Sequence, residues 1–248
     1  MNNPTQQAYT ELQAAFDHFN AKLFDGELPH CLITLQREKR TYGYFSAKRF
    51  VRRSDKQLTD EIAMNPAYFA VLPPLEIFQT LCHEMAHVWQ AHFGKPGRRG
   101  YHNKEWAQKM ESIGLMPSST GAPGGAKTGE KMSDYAIEGG RFMAASNELL
   151  SRGFGISWLD RFPVRVDTQA SAIAAGSESS EQLPANELET ADEELLSLLV
   201  EPTGNKSNRV KYRCATCSAQ AWGKPELRLL CGEIDCNGCA LEAVISGN

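Results

Sequence analysis

The stretch LCHEMAHVWQ (81–90) sets His83 and His87 four residues apart, with Glu84 beside the first. On an α-helix, residues four apart lie on one face, one turn above the other. Both imidazoles can then turn a nitrogen toward one zinc ion at about 2.1 Å. Glu84 is close enough to reach a water on that ion. Zinc lowers the pKa of a bound water to about 7, and a carboxylate placed there can take the proton as general base while the ion polarises a carbonyl. That is the chemistry of peptide hydrolysis without a covalent intermediate. Leu81, Met85, Ala86 and Val88 make the same helix half-buried, so the competing reading is a core helix that carries two structural histidines.

Zinc catalysis needs a third protein ligand and one open position. The extended pattern H-E-x-x-H-x-x-G-x-x-H does not continue here, because Gln90 and Phe93 stand where the glycine and the third histidine belong. His92, five residues past His87, is rotated off the ligand face. His102 is the better candidate. It follows a glycine-rich turn, GKPGRRG (94–100), and starts the next helix, which can fold back antiparallel. Glu105 and Glu111 are the acidic alternatives. His18 and His30 read as structural or exposed.

Seven cysteines divide into two kinds. Cys31 and Cys82 stand alone among apolar residues and read as core. Cys214, Cys217, Cys231, Cys236 and Cys239 crowd the C-terminal end, where such clustering points to metal rather than disulfides. VKYRCATC is a strand running into a knuckle that offers two thiolates to one zinc. LRLLCGEIDC repeats the plan, with a strand ending in Cys231. Cys214, Cys217 and Cys231 are the expected ligands of a structural zinc. The fourth is Cys236, which follows Cys231 more closely, or Cys239 across a longer loop. Zinc would hold together a module with little core of its own. Around it lie Lys211, Tyr212, Trp222 and Lys224, with Arg209, Arg213 and Arg228. Basic residues interleaved with aromatics suit single-stranded nucleic acid, charges on phosphates and rings on bases, although the two aromatics could instead pack the ribbon. A second basic run (Arg37, Lys39, Arg40, Lys48, Arg49, Arg52, Arg53, Lys56) reads as a solvated face.

These residues need a frame. Tyr9, Leu12, Phe16, Phe19 and Leu23 recur at helical spacing until DGELP. HCLITLQ (30–36), TYGYFS (41–46) and EIAMN (61–65) read as strands. Pro73 and Pro74 suit the first turn of a helix that reaches Phe93 and stops at Gly94. Asn103 caps the next helix, in which Trp106, Met110 and Ile113 share a face and Gly114 is the stop. The fold class is α+β: zincin-like helices packed on a small β-sheet, followed by a small C-terminal β zinc ribbon. Residues 118–141 are glycine-rich and read as a structured loop. GAPGGAKT within it misses the P-loop pattern at Ala126 and follows no apolar strand.

Residues 167–204 hold nine acids and no Lys or Arg, which leaves 26 basic against 21 acidic residues elsewhere. The net charge of −4 therefore conceals a basic remainder, compatible with a nucleic-acid partner. The expected organisation is a metalloprotease domain over 1–160, an acidic flexible linker over 161–208 and the ribbon over 209–248. LLSLLV (195–200) is either a short partner-docking helix or a transient one. No apolar run of 18 residues exists and MNNPTQQAYTELQ lacks the pattern of a signal peptide, so an intracellular, cytoplasmic protein with no membrane contact is expected.

FNAKLFDGELP, the strand around TYGYFS, EIAMNP, LCHEMAHVWQ, GYHNKEWAQKMESIGLMP and the terminal cysteines come in one order. That order resembles the SprT-like metalloprotease family over residues 9–117 and 209–243. The resemblance implies a zinc-dependent endopeptidase with His83, His87 and His102 as ligands of a catalytic zinc and Glu84 as base. It implies action on DNA-bound or DNA-crosslinked proteins, with single-stranded DNA as partner. Asn103 and Trp106 depart from the glycine and phenylalanine that members often carry near the third ligand. The rival reading is a non-catalytic nucleic-acid-binding adaptor, against which the intact Glu84 argues.

Overall fold

The computed structural model describes residues 3–39, 41–164, 195, 198–199 and 209–244. The chain divides into two units, Met1–Pro202 and Thr203–Asn248. The acidic stretch 167–194 and most of LLSLLV lie outside the described residues.

In the first unit, α1 (Pro4–Leu23) begins where Asn3 accepts the backbone N–H of Thr5 at 3.1 Å and Pro4 presets the first turn. Leu12, Ala15, Phe16, Phe19 and Leu23 fall on one buried stripe. A three-stranded sheet follows in the order β1 (Leu32–Leu35), β3 (Leu58–Met64), β2 (Gly43–Val51). β3 is central, parallel to β1 and antiparallel to β2. Because both its faces are covered, it is buried from Asp60 to Met64. Its two acids are therefore paired: Asp60 with His92 and the Lys48 amide, each at 2.6 Å, and Glu61 with the Thr34 hydroxyl at 2.7 Å.

Helix α2 (Pro74–Phe93) crosses this sheet. It buries Ile77, Phe78, Leu81, Cys82, Met85, Ala86 and Val88 because β2, β3, α1 and α3 all pack on it. Helix α3 (Lys104–Ile113) folds back as expected. Asn103 caps it through the Trp106 amide, and Gly114 closes it in the left-handed region at φ +96°. A Cβ at Gly114 would stand 2.7 Å from the Phe142 nitrogen, so the turn into the following elements needs glycine there.

Residues 118–141 are more than a loop. β4 (Leu115–Ser118) pairs antiparallel with β5 (Ser133–Ala136), and the glycine-rich stretch only bridges them. The P-loop-like segment spends its polar groups on itself: the Ala126 amide donates to Ser119 Oγ at 3.0 Å and the Ser119 amide to the Ala126 carbonyl at 2.8 Å. Helix α4 (Arg141–Ser151) then buries Phe142, Ala145 and Leu149 against α1, with Phe142 stacked on Phe19. No capping side chain announces α4, which starts directly after Gly139 and Gly140. Past α4 the chain comes back to the segment that follows β1, where Asp160 pairs with Arg37 at 2.6 Å.

The second unit is a three-stranded antiparallel sheet in the order β7 (Gln220–Gly223), β6 (Val210–Cys214), β8 (Leu241–Val244). VKYRC is the central strand, as its pattern suggests. The strand expected at LRLL is not formed among the described residues: Leu230 makes only an isolated bridge to Ala240. LRLL does reach the outer edge of β8, where the Leu241 amide donates to the Leu229 carbonyl at 2.8 Å, but the contact stops at that single bridge and does not extend into a ladder.

Candidate metal centre and carboxylate base

Three elements bring three imidazoles together. α2 presents His83 and His87 one turn apart. His102 arrives from the turn before α3, locked to the glycine-rich stretch by two backbone hydrogen bonds with Gly129, at 2.8 and 3.1 Å. The Nε2 atoms of His83 and His102 lie 3.3 Å apart, and those of His87 and His102 lie 3.1 Å apart. All three rings sit on the fully buried Trp106 indole, at centroid distances of 4.8, 5.3 and 4.4 Å. The tryptophan is therefore the floor of the site.

The outer nitrogens reveal what the inner ones carry. His83 Nδ1 lies 2.8 Å from the Asp134 carboxylate, and His102 Nδ1 lies 3.2 Å from the Gly129 carbonyl. Both partners only accept, so each Nδ1 bears the hydrogen and donates. The Nε2 atoms of His83 and His102 then face each other at 3.3 Å, an arrangement that repels unless a proton or a metal cation lies between. Two nitrogens bound to one tetrahedral zinc at about 2.1 Å are about 3.4 Å apart, close to the separations seen. The donor set fits zinc. Burial and the neighbouring histidines hold His87 well below the usual imidazole range, and burial followed by the His83 charge brings His102 down to about 4. Both rings are thus neutral donors at neutral pH. Burial pulls His83 down too, but the hydrogen bond to Asp134 and the charges of Glu84 and Asp134 outweigh it and raise this pKa.

Glu84 is 7% exposed. Burial raises its carboxyl from 4.5 to about 7, against the His83 charge and the Phe45 amide, which pull it down. β2 shapes this wall: Phe45 stacks against His87 at 6.3 Å, and Gly43 lies so close to α2 that an added Cβ would come 3.0 Å from Thr80 Cγ2, with Glu84 Cγ next at 3.6 Å.

The other candidates are elsewhere. His92 pairs with buried Asp60. Glu105 accepts from Gln90 Nε2 at 2.9 Å and from the Lys95 amide at 2.6 Å, which ties down the turn after α2. Glu111 pairs with Lys127 at 2.9 Å. His18 meets the Ala145 carbonyl, and His30 is exposed. Asn103 turns out to be the hub of the turn. It caps α3, accepts from Gln90 Nε2 at 2.7 Å and donates to the Lys95 carbonyl at 2.9 Å. Asp134 escaped sequence reasoning. It sits in the short strand SDYA, within a stretch that reads as loop, and nothing local links it to a histidine 51 residues earlier.

In the second unit the Sγ atoms of Cys214, Cys217, Cys231 and Cys236 all lie within 4.8 Å of one another. Zinc–sulfur bonds of about 2.3 Å give a tetrahedral edge of about 3.8 Å. Cys214 and Cys236 stand 3.8 Å apart, and Cys217 and Cys231 stand 3.4 Å apart. Cys239 is brought back by the Asn237–Gly238 turn, with φ of +46° and +70°, to 3.2 Å from Cys214. The Cys217 amide and the Cys239 thiol hold Cys214 down to about 6, toward the thiolate a metal needs. The two ribbon aromatics part company. Tyr212 is buried, donates its hydroxyl to the Lys224 carbonyl at 2.7 Å and accepts the Leu227 amide at 3.0 Å, so its ring packs the ribbon and is not free to stack on a base. Trp222 is 60% exposed, with Lys211 Nζ 5.8 Å from its ring centre.

A half-buried cluster of three imidazoles beside a raised carboxyl, together with a four-thiol cluster, gives the protein two distinct groups that could each hold a metal ion. Residues 12–124 match the model of the SprT-like family. A further comparison pairs 62 residues, 25% of this chain, with 84% of an uncharacterized protein in the mucB 3' region of Salmonella typhimurium, at 64% identity. The chain belongs to the SprT-like family, which is associated with a zinc-metalloprotease-like fold. No solved structure matches it. Among the described residues no helix is long and apolar enough to cross a membrane.

Two consequences of this geometry can be measured. Asp134→Asn should weaken zinc binding at the histidine site about 10–100-fold, since outer partners of metal-bound histidines carry that much; chelator competition measures it, and unchanged affinity would remove Asp134 from the site. The second concerns Glu84 in zinc-stripped protein. Its folded pKa of about 7 exceeds the ordinary 4.5, so folded protein holds a proton that unfolded protein releases. The contribution is complete below about pH 4.5 and is lost as pH rises through about 7, on the order of 2–4 kcal/mol. Denaturant titrations should show Glu84→Gln more stable than the parent at pH 8 and not at pH 4.5.

Proposed function

We propose that this chain is a zinc-dependent endopeptidase that cleaves proteins bound or crosslinked to DNA, and that its ribbon holds single-stranded DNA. The observation that carries the hydrolytic reading is the convergence of three imidazole Nε2 atoms beside one buried carboxylate. A zinc ion bound by His83, His87 and His102 would supply Lewis acidity toward a peptide carbonyl and toward a water in the remaining position. Glu84 does the proton work. Its carboxylate takes the proton of the attacking water and returns it to the amine that leaves. A pKa near 7 suits a group that must gain and release a proton at neutral pH. Trp106 and Phe45 wall the imidazoles with apolar surface, which strengthens each electrostatic contact in the site.

In the ribbon, Cys214, Cys217, Cys231 and Cys236 hold a structural zinc and Cys239 is the spare thiol. Lys211 and Arg213 lie two apart on β6, on the face opposite Tyr212, and Lys211 faces Trp222 across the ladder. A stripe of cations beside one exposed indole supports strand binding by phosphate contact and base stacking, and Lys224 adds to it. The DNA-linked substrate comes from the family resemblance and from the basic balance outside the acidic stretch.

A purified protein crosslinked to single-stranded DNA is the substrate to use. The parent chain should cleave it, and Glu84→Gln should be inert with its zinc retained. Trp222→Ala should weaken single-strand binding by about 1–3 kcal/mol and slow cleavage of the crosslink. Cleavage by the Glu84→Gln protein would defeat the proposal.

A further inference from the structure

The second basic run does not lie flat. Residues 47–58 form the outer half of the β2–β3 hairpin, and all twelve are exposed. They carry Lys48, Arg49, Arg52, Arg53 and Lys56 against a single acid, Asp55. Asp55 is taken by Arg52 at 2.6 Å, and Arg49 only approaches Glu61, at 3.9 Å. Among the described residues, Lys48, Arg53 and Lys56 form no ion pair. Phe50, Val51 and Leu58 are exposed on the same arm, at 36, 59 and 52%. A merely solvated face has no reason to project apolar side chains among unneutralised cations.

The arm is also held in shape. The ladder runs out to Val51 and Leu58, and the Arg52 amide donates to the Gln57 carbonyl at 2.8 Å. Lys56, at φ +63°, closes the turn in the left-handed position that a bulged hairpin loop requires. At its base the register shifts between Ser46 and Phe50, and Lys48 adopts φ +50°. The Lys48 amide is pinned to buried Asp60, whose other oxygen holds His92 of α2. The arm is thus tied to the helix that carries the candidate metal ligands.

We propose that this hairpin is a second nucleic-acid contact, which grips the phosphates of a duplex next to the metal centre. The inference rests on the reading that the protein works on DNA-bound proteins, and it names where that DNA lies. A two-stranded ribbon is of a size that the major groove, about 12 Å wide, admits. Cations on a preformed arm reach phosphates without first being ordered. The arm offers no ring as open as Trp222, so it tracks the backbone rather than stacking on bases. β2 itself links the two sites. Phe45 packs on His87, and Val51 is six residues further out, roughly 20 Å at about 3.3 Å per residue. A protein seated on the gripped duplex would lie beside Glu84.

The test compares the full-length, zinc-loaded parent with Lys48→Asn, Arg53→Gln and Lys56→Asn combined; Arg49 is kept because of Glu61, and asparagine tolerates the left-handed backbone. Anisotropy is read for a labelled duplex of about 20 base pairs and for its single strand, across a range of salt. The variant should bind duplex at least tenfold more weakly near 0.1 M salt. Its slope of log affinity against log salt should fall by about 2–3, near 0.9 for each phosphate left without its cation. Single-strand affinity, zinc content and hydrolysis of a DNA-free unfolded protein should not change. Unchanged duplex affinity and slope would overturn the proposal, whether the arm faces the acidic stretch of its own chain or another protein. So would selective loss of binding to anionic phospholipid vesicles with duplex binding intact. If duplex binding depends on the arm while no Glu84-dependent cleavage occurs, the arm stands and the protease reading falls.

Discussion

Three imidazole nitrogens meet at 3.1–3.3 Å, and two of their rings already donate through Nδ1, so their inner nitrogens are turned on one another with only a proton or a cation able to reconcile them. That meeting is unfavourable by itself and favourable around a cation. Much of the first unit makes sense as the means of enforcing it. Without a cation or a shared proton, these half-buried nitrogens would face one another unsatisfied, at a cost of about 1–3 kcal/mol each.

The enforcement is distributed. α2 supplies two ligands on one face. Asn103 and Gln90 fix the turn that returns His102, and Gly129 grips it by backbone and ring. Asp134 sets the His83 tautomer from β5, and Gln79 of α2 holds that strand by donating to the Asp134 carbonyl at 2.9 Å. Trp106 fills the space beneath all three rings. The glycine-rich stretch, which reads as loop, is therefore part of the site: its ends are β4 and β5 and its middle carries Gly129. The same buried surroundings that neutralise His87 and His102 also raise Glu84, so one physical cause prepares both the ligands and the base.

What was legible in the sequence follows from the range of each interaction. The 83–87 spacing is a local helical fact, and α2 formed where Pro74 and Gly94 placed its ends. His102 was legible because a glycine-rich turn and an Asn cap are also local. Asp134 and Gly129 were not, since they reach the site only through the β4–β5 pairing, and α4 lacks a capping residue to mark its start. In the ribbon, VKYRC was readable as a strand. LRLL is also apolar and basic, but it meets the edge of β8 at only one bridge, and the extent of a ladder is set by the partner strand, which no single segment reveals. Tyr212 and Trp222 look alike in sequence. Alternation across β6 and β7 buries one and exposes the other.

The central claim is that two separate groups of side chains each bind one zinc, and that His102 completes the first. Elemental analysis of the purified full-length chain and two single variants measures this directly. The account predicts about two zinc equivalents for the parent and for His92→Ala, and about one for His102→Ala, with the four-thiol site still filled. A parent with at most one equivalent, or a His102→Ala protein that keeps two, would contradict it.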